Sequence, residues 1–193
     1  MFTEETFKKL INIPSEIRWF GDPILRQEAT PFSEEEFLNG EVTKVVNSLI
    51  AVLKETRDQL GIGRALAAPQ IGLGRRAFVR FQDETDSYEA FINPHISAKS
   101  EEQGSFREMC LSGMPLSASV VRPWEIELVY NAENGDNCHV TADPMLSRVA
   151  QHEIDHLDGI LFIDRVKSTD VFFNFDWEGS RSRNKLVKIV NGA

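Results

Sequence analysis

The sequence predicts an α+β fold. Three observations carry this: a run with helical spacing from Val42 to Leu60, short aromatic and β-branched runs between Ala77 and Tyr130, and a second helical pattern opened by Asp143-Pro144. The chain begins with a stretch to about Phe20 that ends at Gly21-Asp22-Pro23, a turn signal. Ser33 and Glu36 have capping-box spacing and mark a helix start. Val42, Val45, Val46, Leu49, Leu53, Thr56 and Leu60 then define an amphipathic helix of about five turns, stopped by Gly61. Ala77–Phe81, Tyr88–Ile92 and Val120–Tyr130 read as strands, and the alternation of Glu125-Ile126-Glu127-Leu128 gives the last one a wet face. Asn134-Gly135 predicts a type I′ turn joining that strand to Cys138–Thr141. Asp143 is the expected N-cap and Pro144 the first residue of the second helix, which runs to about Asp158 with Gly159 as its stop. Met145, Val149, His152 and His156 share one face of it. Leu146, Ala150, Ile154 and Leu157 fall largely on the other, so the helix is expected in the middle of the fold. Beyond Val166, Phe172, Phe173, Phe175 and Trp177 look like packing residues, and Arg181, Arg183, Lys185 and Lys188 make the tail after Gly179 basic.

The 193 residues, 41% apolar and 26% charged, fit one domain over 1–193 with a motif-bearing core of about 17–166. A net charge of −9 argues against a general binder of free nucleic acid or of anionic membranes. No run of about 18 apolar residues suggests a membrane span, and no presequence is visible, which favours a cytoplasmic location. Two cysteines, Cys110 and Cys138, are too few for a disulfide framework but enough for one bridge.

Gln151-His152-Glu153-Ile154-Asp155-His156 carries the strongest chemical signal. Histidines at i and i+4 on a helix stack one above the other, so both imidazoles can ligate one metal. Glu153 is then held near the open coordination position as a proton acceptor. The bland alternative is a solvated helix whose histidines pair with acids. A third ligand is needed for a catalytic site. The position of the third histidine in one large class of zinc proteases is Phe162, which cannot bind metal. Glu178, His139, Asp155 and the thiolate of Cys110 or Cys138 remain open on residue type alone.

Gly63–Gly72 with Leu66-Ala67-Ala68-Pro69-Gln70, Glu108-Met109-Cys110-Leu111-Ser112, and Gln151–Gly159 resemble, in order and separation, the three signature motifs of the peptide deformylases. Ile17–Pro23 and Phe91-Ile92-Asn93-Pro94 are similar to segments of the same family, and the resemblance covers roughly Ile17 to Val166. It implies antiparallel sheets packed around a central metal-binding helix. It also implies metal-dependent hydrolysis of the formyl group from formyl-methionyl nascent polypeptides. Cys110, His152 and His156 would hold a divalent metal, commonly Fe²⁺, with Zn²⁺, Ni²⁺ or Co²⁺ as substitutes. Glu153 would take and deliver the proton, and the Gln70 amide and the Leu111 backbone N–H would donate to the formyl oxygen. Met145 and Val149 are candidates for the pocket of the methionine side chain. Glu108 reads as a supporting acid in a buried ion pair with Arg122. The basic tail suggests a ribosome contact.

Two departures accompany the resemblance. Met109 and Ala65 stand where the family usually has glycine, both beside the expected substrate groove; a glycine needed for φ > 0 would make each replacement cost about 1 kcal/mol or more. The family's peptide-gripping arginine after Ser112 is also missing, since the aligned stretch reads Leu116-Ser117-Ala118-Ser119. Two rival readings follow: a deformylase-like metal-binding protein with altered or little activity, and a zinc metalloprotease using Glu178. Under the family reading Cys138 is a small packing residue and the two cysteines are not bridged.

Overall fold

The computed structural model describes residues 12–173 and 187–189. Two antiparallel sheets and three helices make up its core: α1 (Glu34–Leu38), α2 (Glu41–Leu60) and α3 (Pro144–Leu157). β1 (Ala65–Ala67), β2 (Ala77–Gln82), β3 (Ser87–Lys99), β6 (Ile126–Asn131) and β7 (Asn137–Ala142) form one sheet in the order β1-β2-β3-β6-β7. The other has the order β8-β5-β4-β9, from β4 (Gln103–Met109), β5 (Leu116–Pro123), β8 (Val171–Phe173) and β9 (Val187–Ile189).

The five-stranded sheet lies between α2 and α3, so β1, β2 and the middle of β3 are apolar on both faces, while β6 and β7 keep one wet face carrying Glu127, Asn131, His139 and Thr141. Val42, Val45, Leu49 and Leu53 of α2 pack with Ala77, Val79 and Ile92. From the other face, Phe78, Phe91, Ile126 and Leu128 meet Leu146, Ala150, Ile154 and Leu157 of α3. The Phe78 and Phe91 rings stack with centroids 4.5 Å apart. Each fully buried side chain of this kind stabilises the fold by about 1.5–3 kcal/mol, so the central position expected for the second helix follows from burial on both its sides.

The capping box at Ser33 and Glu36 forms, but it opens the short α1 and not the long helix. Gly40, at φ 83°, separates the two, and α2 then runs its predicted length to Gly61. The predicted run Val120–Tyr130 is two strands in different sheets. The chain leaves the second sheet at Pro123 and enters the first at Ile126, and the crossing is fastened to the β3–β4 crossing by Trp124 N–H to the Glu102 carbonyl (2.8 Å) and Ser100 N–H to the Glu125 carbonyl (3.0 Å). The β6–β7 hairpin exists, yet its turn is not type I′, since only Gly135 (φ 90°) and not Asn134 has positive φ. Gly135 N–H reaches the Ala132 carbonyl and Ala132 N–H reaches Asp136, the pattern of a type I turn closed by a left-handed glycine. Phe172 and Phe173, read from the sequence as packing residues, are largely exposed on β8; Phe175, Trp177 and Glu178 lie outside the described residues.

Candidate active site

α3 starts as its sequence dictates. Asp143 Oδ1 accepts the N–H groups of Met145 and Leu146, and Pro144 occupies the first turn, where its missing N–H costs nothing. One turn apart on this helix, the His152 and His156 rings lie with centroids 5.2 Å apart. Cys110 directly follows β4 and enters from the second sheet, with Sγ 3.2 Å from His156 Nε2. One ligand atom from each of Cys110, His152 and His156 lies within 4.8 Å of the others. A tetrahedral ion holding one thiolate and two imidazoles at ordinary bond lengths separates its ligands by roughly 3.3–3.6 Å, so the cluster is able to hold a metal. His139 sits elsewhere, exposed against Glu127, and Asp155 is spent on arginines.

Glu108 orients the first histidine. Its Oε2 lies 2.9 Å from His152 Nδ1, which leaves Nε2 for the metal. The same carboxylate accepts from Arg122 Nε (2.7 Å) and Nη2 (2.9 Å) and from Arg148 Nη1 (3.0 Å). Burial alone would raise its pKa. The hydrogen bonds from Arg122 and His152 outweigh burial and hold the carboxyl well below the usual carboxylate range. Arg122 continues the chain of charges to Asp155 Oδ2 at 2.6 Å, and Arg165 clasps Asp155 from the following turn. The expected Glu108–Arg122 pair is therefore present, inside a network whose other members, Arg148, Asp155 and Arg165, sequence reasoning did not assign. Arg148 and His152 share one helix face four residues apart, and a cation on the buried side of a helix was the available signal.

Glu153 is buried and its Oε2 has no hydrogen-bond partner; burial pushes its carboxyl up to about 7. A buried carboxylate oxygen left unpaired costs about 1–3 kcal/mol or more, so such a group is held for a partner such as a water. Burial opposes a charge on both rings. At His152 the contacts with Cys110 and Glu108 outweigh it and raise the pKa, whereas burial and the nearby His152 hold His156 well below the ordinary value.

Gln70 follows β1 in a 3₁₀ turn, Ala68–Ile71. Its Oε1 accepts the Ala67 N–H at 2.9 Å, which fixes the side-chain amide with Nε2 toward Ser112 Oγ (3.2 Å) and Cys110 Sγ (3.4 Å). Leu111 is buried directly after Cys110 at the start of another 3₁₀ turn. These residues bound a cleft of about 240 Å³ that Ala65, Gln70, Met109, Cys110, His152 and Glu153 line, together with Met145 and Val149 of α3. β1, the outermost strand of its sheet among the described residues, forms one wall and the end of β4 the other. Ala65 and Met109 are both strand residues without positive φ, so the backbone strain expected from replacing glycine is absent at either position. Cys138 is a free, partly buried residue of β7, paired with Tyr130 across the hairpin and packed against the core under α3, and Cys110 is free as well.

The polypeptide deformylase sequence profile matches residues 14–171. A peptide deformylase of Treponema pallidum is 42% identical over 151 residues, which cover 78% of this chain and 87% of that protein. One of Picosynechococcus is 37% identical over 158 residues, 80% of each. Among solved structures, a peptide deformylase of Synechococcus elongatus in complex with actinonin superposes with a TM-score of 0.71 at 32% identity, covering 81% of this chain and 80% of that one. A probable peptide deformylase of the Synechococcus phage S-SSM7 gives 0.70 at 32% identity, covering 78% and 98%. With the three motifs brought to one cleft and relatives matched along most of their own length, the chain belongs to the peptide deformylase family.

Proposed function

We propose that this chain hydrolyses the N-terminal formyl group of formyl-methionyl polypeptides, releasing formate and a free amino terminus. The observation that carries this reading is the convergence of a buried Cys-His-His cluster, an unpartnered Glu153 oxygen and a pinned Gln70 amide on one cleft beside an outer strand edge. Cys110, His152 and His156 would hold the metal, Fe²⁺ in our reading, with Zn²⁺, Ni²⁺ or Co²⁺ able to take its place. A divalent ion supplies Lewis acidity to a carbonyl oxygen and acidity to a water.

The chain's own groups do the rest. Glu153 takes the attacking water's proton and passes it to the peptide nitrogen as the formyl C–N bond breaks. Negative charge growing on the formyl oxygen is met by the Gln70 amide N–H and the Leu111 backbone N–H. An extended peptide lies along β1, and its methionine side chain enters the apolar part of the cleft between Met109, Met145 and Val149. In our reading the reaction belongs to a cytoplasm, where a thiolate ligand stays reduced. The basic residues after Gly179, which lie almost wholly outside the described residues, serve a ribosome contact; truncation there is expected to weaken ribosome co-sedimentation.

The test is formate release from formyl-Met-Ala-Ser by protein loaded anaerobically with Fe²⁺. Glu153→Gln is expected to keep the metal and lose about 10²–10⁴-fold in kcat. Cys110→Ala is expected to lose stoichiometric metal. Wild-type protein that holds metal and releases no formate would favour the rival reading of a deformylase-like binding protein.

A further inference from the structure

The two donors that meet the formyl oxygen sit on separate turns. Gln70 belongs to the 3₁₀ turn Ala68–Ile71, and Leu111 opens the turn Leu111–Gly113, closed by Gly113 N–H to the Cys110 carbonyl at 3.0 Å. Charge on one oxygen is met fully only where both N–H groups aim at one spot, and a misplacement of about 1 Å can cost about 100-fold in rate. The turns must therefore be held in register. On the cleft side they meet through Gln70 Nε2 and Ser112 Oγ at 3.2 Å.

Behind the cleft, one short segment touches both turns. Arg18 N–H donates to the Gln70 carbonyl and Phe20 N–H to the Ser112 carbonyl, each at 2.8 Å. Alternate N–H groups of an extended chain point the same way and lie about 7 Å apart, so the segment spaces the turns through its backbone. Its side chains repeat the pattern. A Cβ added at Gly72, just after the first turn, would lie 2.7 Å from Arg18 Nε, and one added at Gly113 would lie 2.5 Å from Phe20 Cζ. Gly72 also has positive φ, but Gly113 does not, so at Gly113 it is the approach of the Phe20 ring that demands glycine.

The Phe20 ring reaches the metal cluster's surroundings as well. It packs with Phe162 and Cys110, and its centroid lies 6.0 Å from that of Phe162. The buried Phe162 ring in turn stacks on His152 at 6.1 Å. Phe20 itself does not line the cleft.

We infer that Phe20 is a positioning residue of this hydrolase, whose ring seats the Leu111–Gly113 turn against the Gln70 turn so that the two donors converge on the formyl oxygen. The inference rests on the hydrolytic reading above. That oxygen gains its charge only as the transition state forms, so a lost alignment falls on kcat and spares KM.

The experiment measures formate release from formyl-Met-Ala-Ser by wild type, Phe20→Ala, Gln70→Ala and the double variant, each loaded anaerobically with Fe²⁺. Phe20→Ala is expected to lower kcat by about 10- to 100-fold, with KM changed by less than about two-fold and metal still stoichiometric. Phe20→Leu should retain more of the rate. Once the Gln70 donor is gone there is no convergence left to lose, so Phe20→Ala should cost at least about three-fold less in the Gln70→Ala background. Amide hydrogen exchange of the zinc-loaded protein gives a readout apart from turnover. In Phe20→Ala the Gly113 N–H should exchange about ten-fold faster, while the amides of β2 and β3 keep their rates. Equal kinetic losses in both backgrounds, a loss confined to KM, or faster exchange throughout the protein overturns the inference. If Phe20→Ala does not fold, Phe20→Leu carries the same cycle with a smaller expected loss. No formate release by metal-loaded wild type overturns the hydrolytic reading instead, and the Gly113 exchange rate then still decides whether Phe20 holds the turn.

Discussion

Behind the Cys-His-His cluster, Glu108, Arg122 and Asp155 form a continuous run of buried charge pairs, while on the walls of the same cleft Arg64, just before β1, and Arg107, within β4, are exposed to water. The inner network is matched atom by atom: both oxygens of Glu108 and of Asp155 are engaged, and Arg148 reaches the carbonyls of Gly104 (2.7 Å) and Val120 (3.2 Å) as well. Removing one partner there strands a charge in a low-dielectric interior, so each member constrains the others. At the rim, solvent screens every pair and a substitution disturbs little beyond its own contact. The departures from the family pattern, Ala65 and Met109, line the outer walls and not the network. The buried network is therefore the part of the cleft least able to absorb a substitution, and the exposed rim the part most able.

The largest expected effect breaks the inner region. Arg122→Met removes the cation shared by Glu108 and Asp155 and leaves two carboxylates buried with fewer partners. The expected loss is about 3–5 kcal/mol of folding stability, read from urea unfolding. Its consequence should spread to the metal, because Glu108 then orients His152 less firmly; metal affinity is expected to drop by about 10–100-fold. A loss within about 0.5 kcal/mol would mean that the network is ornamental and that the contrast with the rim is false.

Acid should sharpen the comparison next. Glu108 is held below its unfolded pKa of about 4.3. Below about pH 5 the unfolded chain therefore binds more protons than the folded one at this site. Its contribution is fully present above the unfolded value and drains away as pH falls toward the folded one. Urea midpoints measured between pH 6 and pH 3 should fall in the wild type, and Glu108→Gln should flatten that slope. An unchanged slope would place the acid sensitivity elsewhere.

Much of this was legible in the sequence wherever one local rule settled the outcome. The Asp143-Pro144 start, the Gly159 end and the i, i+4 histidines needed only helix geometry, and α2 needed only its apolar period. What stayed illegible depended on distant partners. β1 is three residues in a glycine-rich stretch and exists because β2 pairs with it, and β4 gains its strand from β5. The run Val120–Tyr130 gave no sign that Pro123 and Ile126 belong to different sheets, because both halves are equally β-forming. The third member of the Cys-His-His cluster shows the same limit. Residue type left five candidates, and only the family motif around Cys110 singled one out before the fold brought its sulfur against His156. Arg148, Asp155 and Arg165 were missed because a charge becomes informative only once its burial is known.

The smallest expected effect lies at the rim itself. Met109→Gly and Ala65→Gly restore the residue that the family usually carries, yet neither position has positive φ, so no strain is relieved. Glycine in a strand instead costs about 0.5–1 kcal/mol relative to alanine, and Met109 also gives up packing against the core formed by α2 and β1. Both variants should therefore melt slightly below the wild type. Their activity should change mainly through KM, by less than about ten-fold, since neither side chain is placed to stabilise the transition state more than the ground state. If Met109→Gly raised kcat by about a hundred-fold while leaving KM alone, the methionine would be obstructing the reaction itself. The division of this cleft into a fixed chemical floor and a permissive rim would then fail where β4 passes from one to the other.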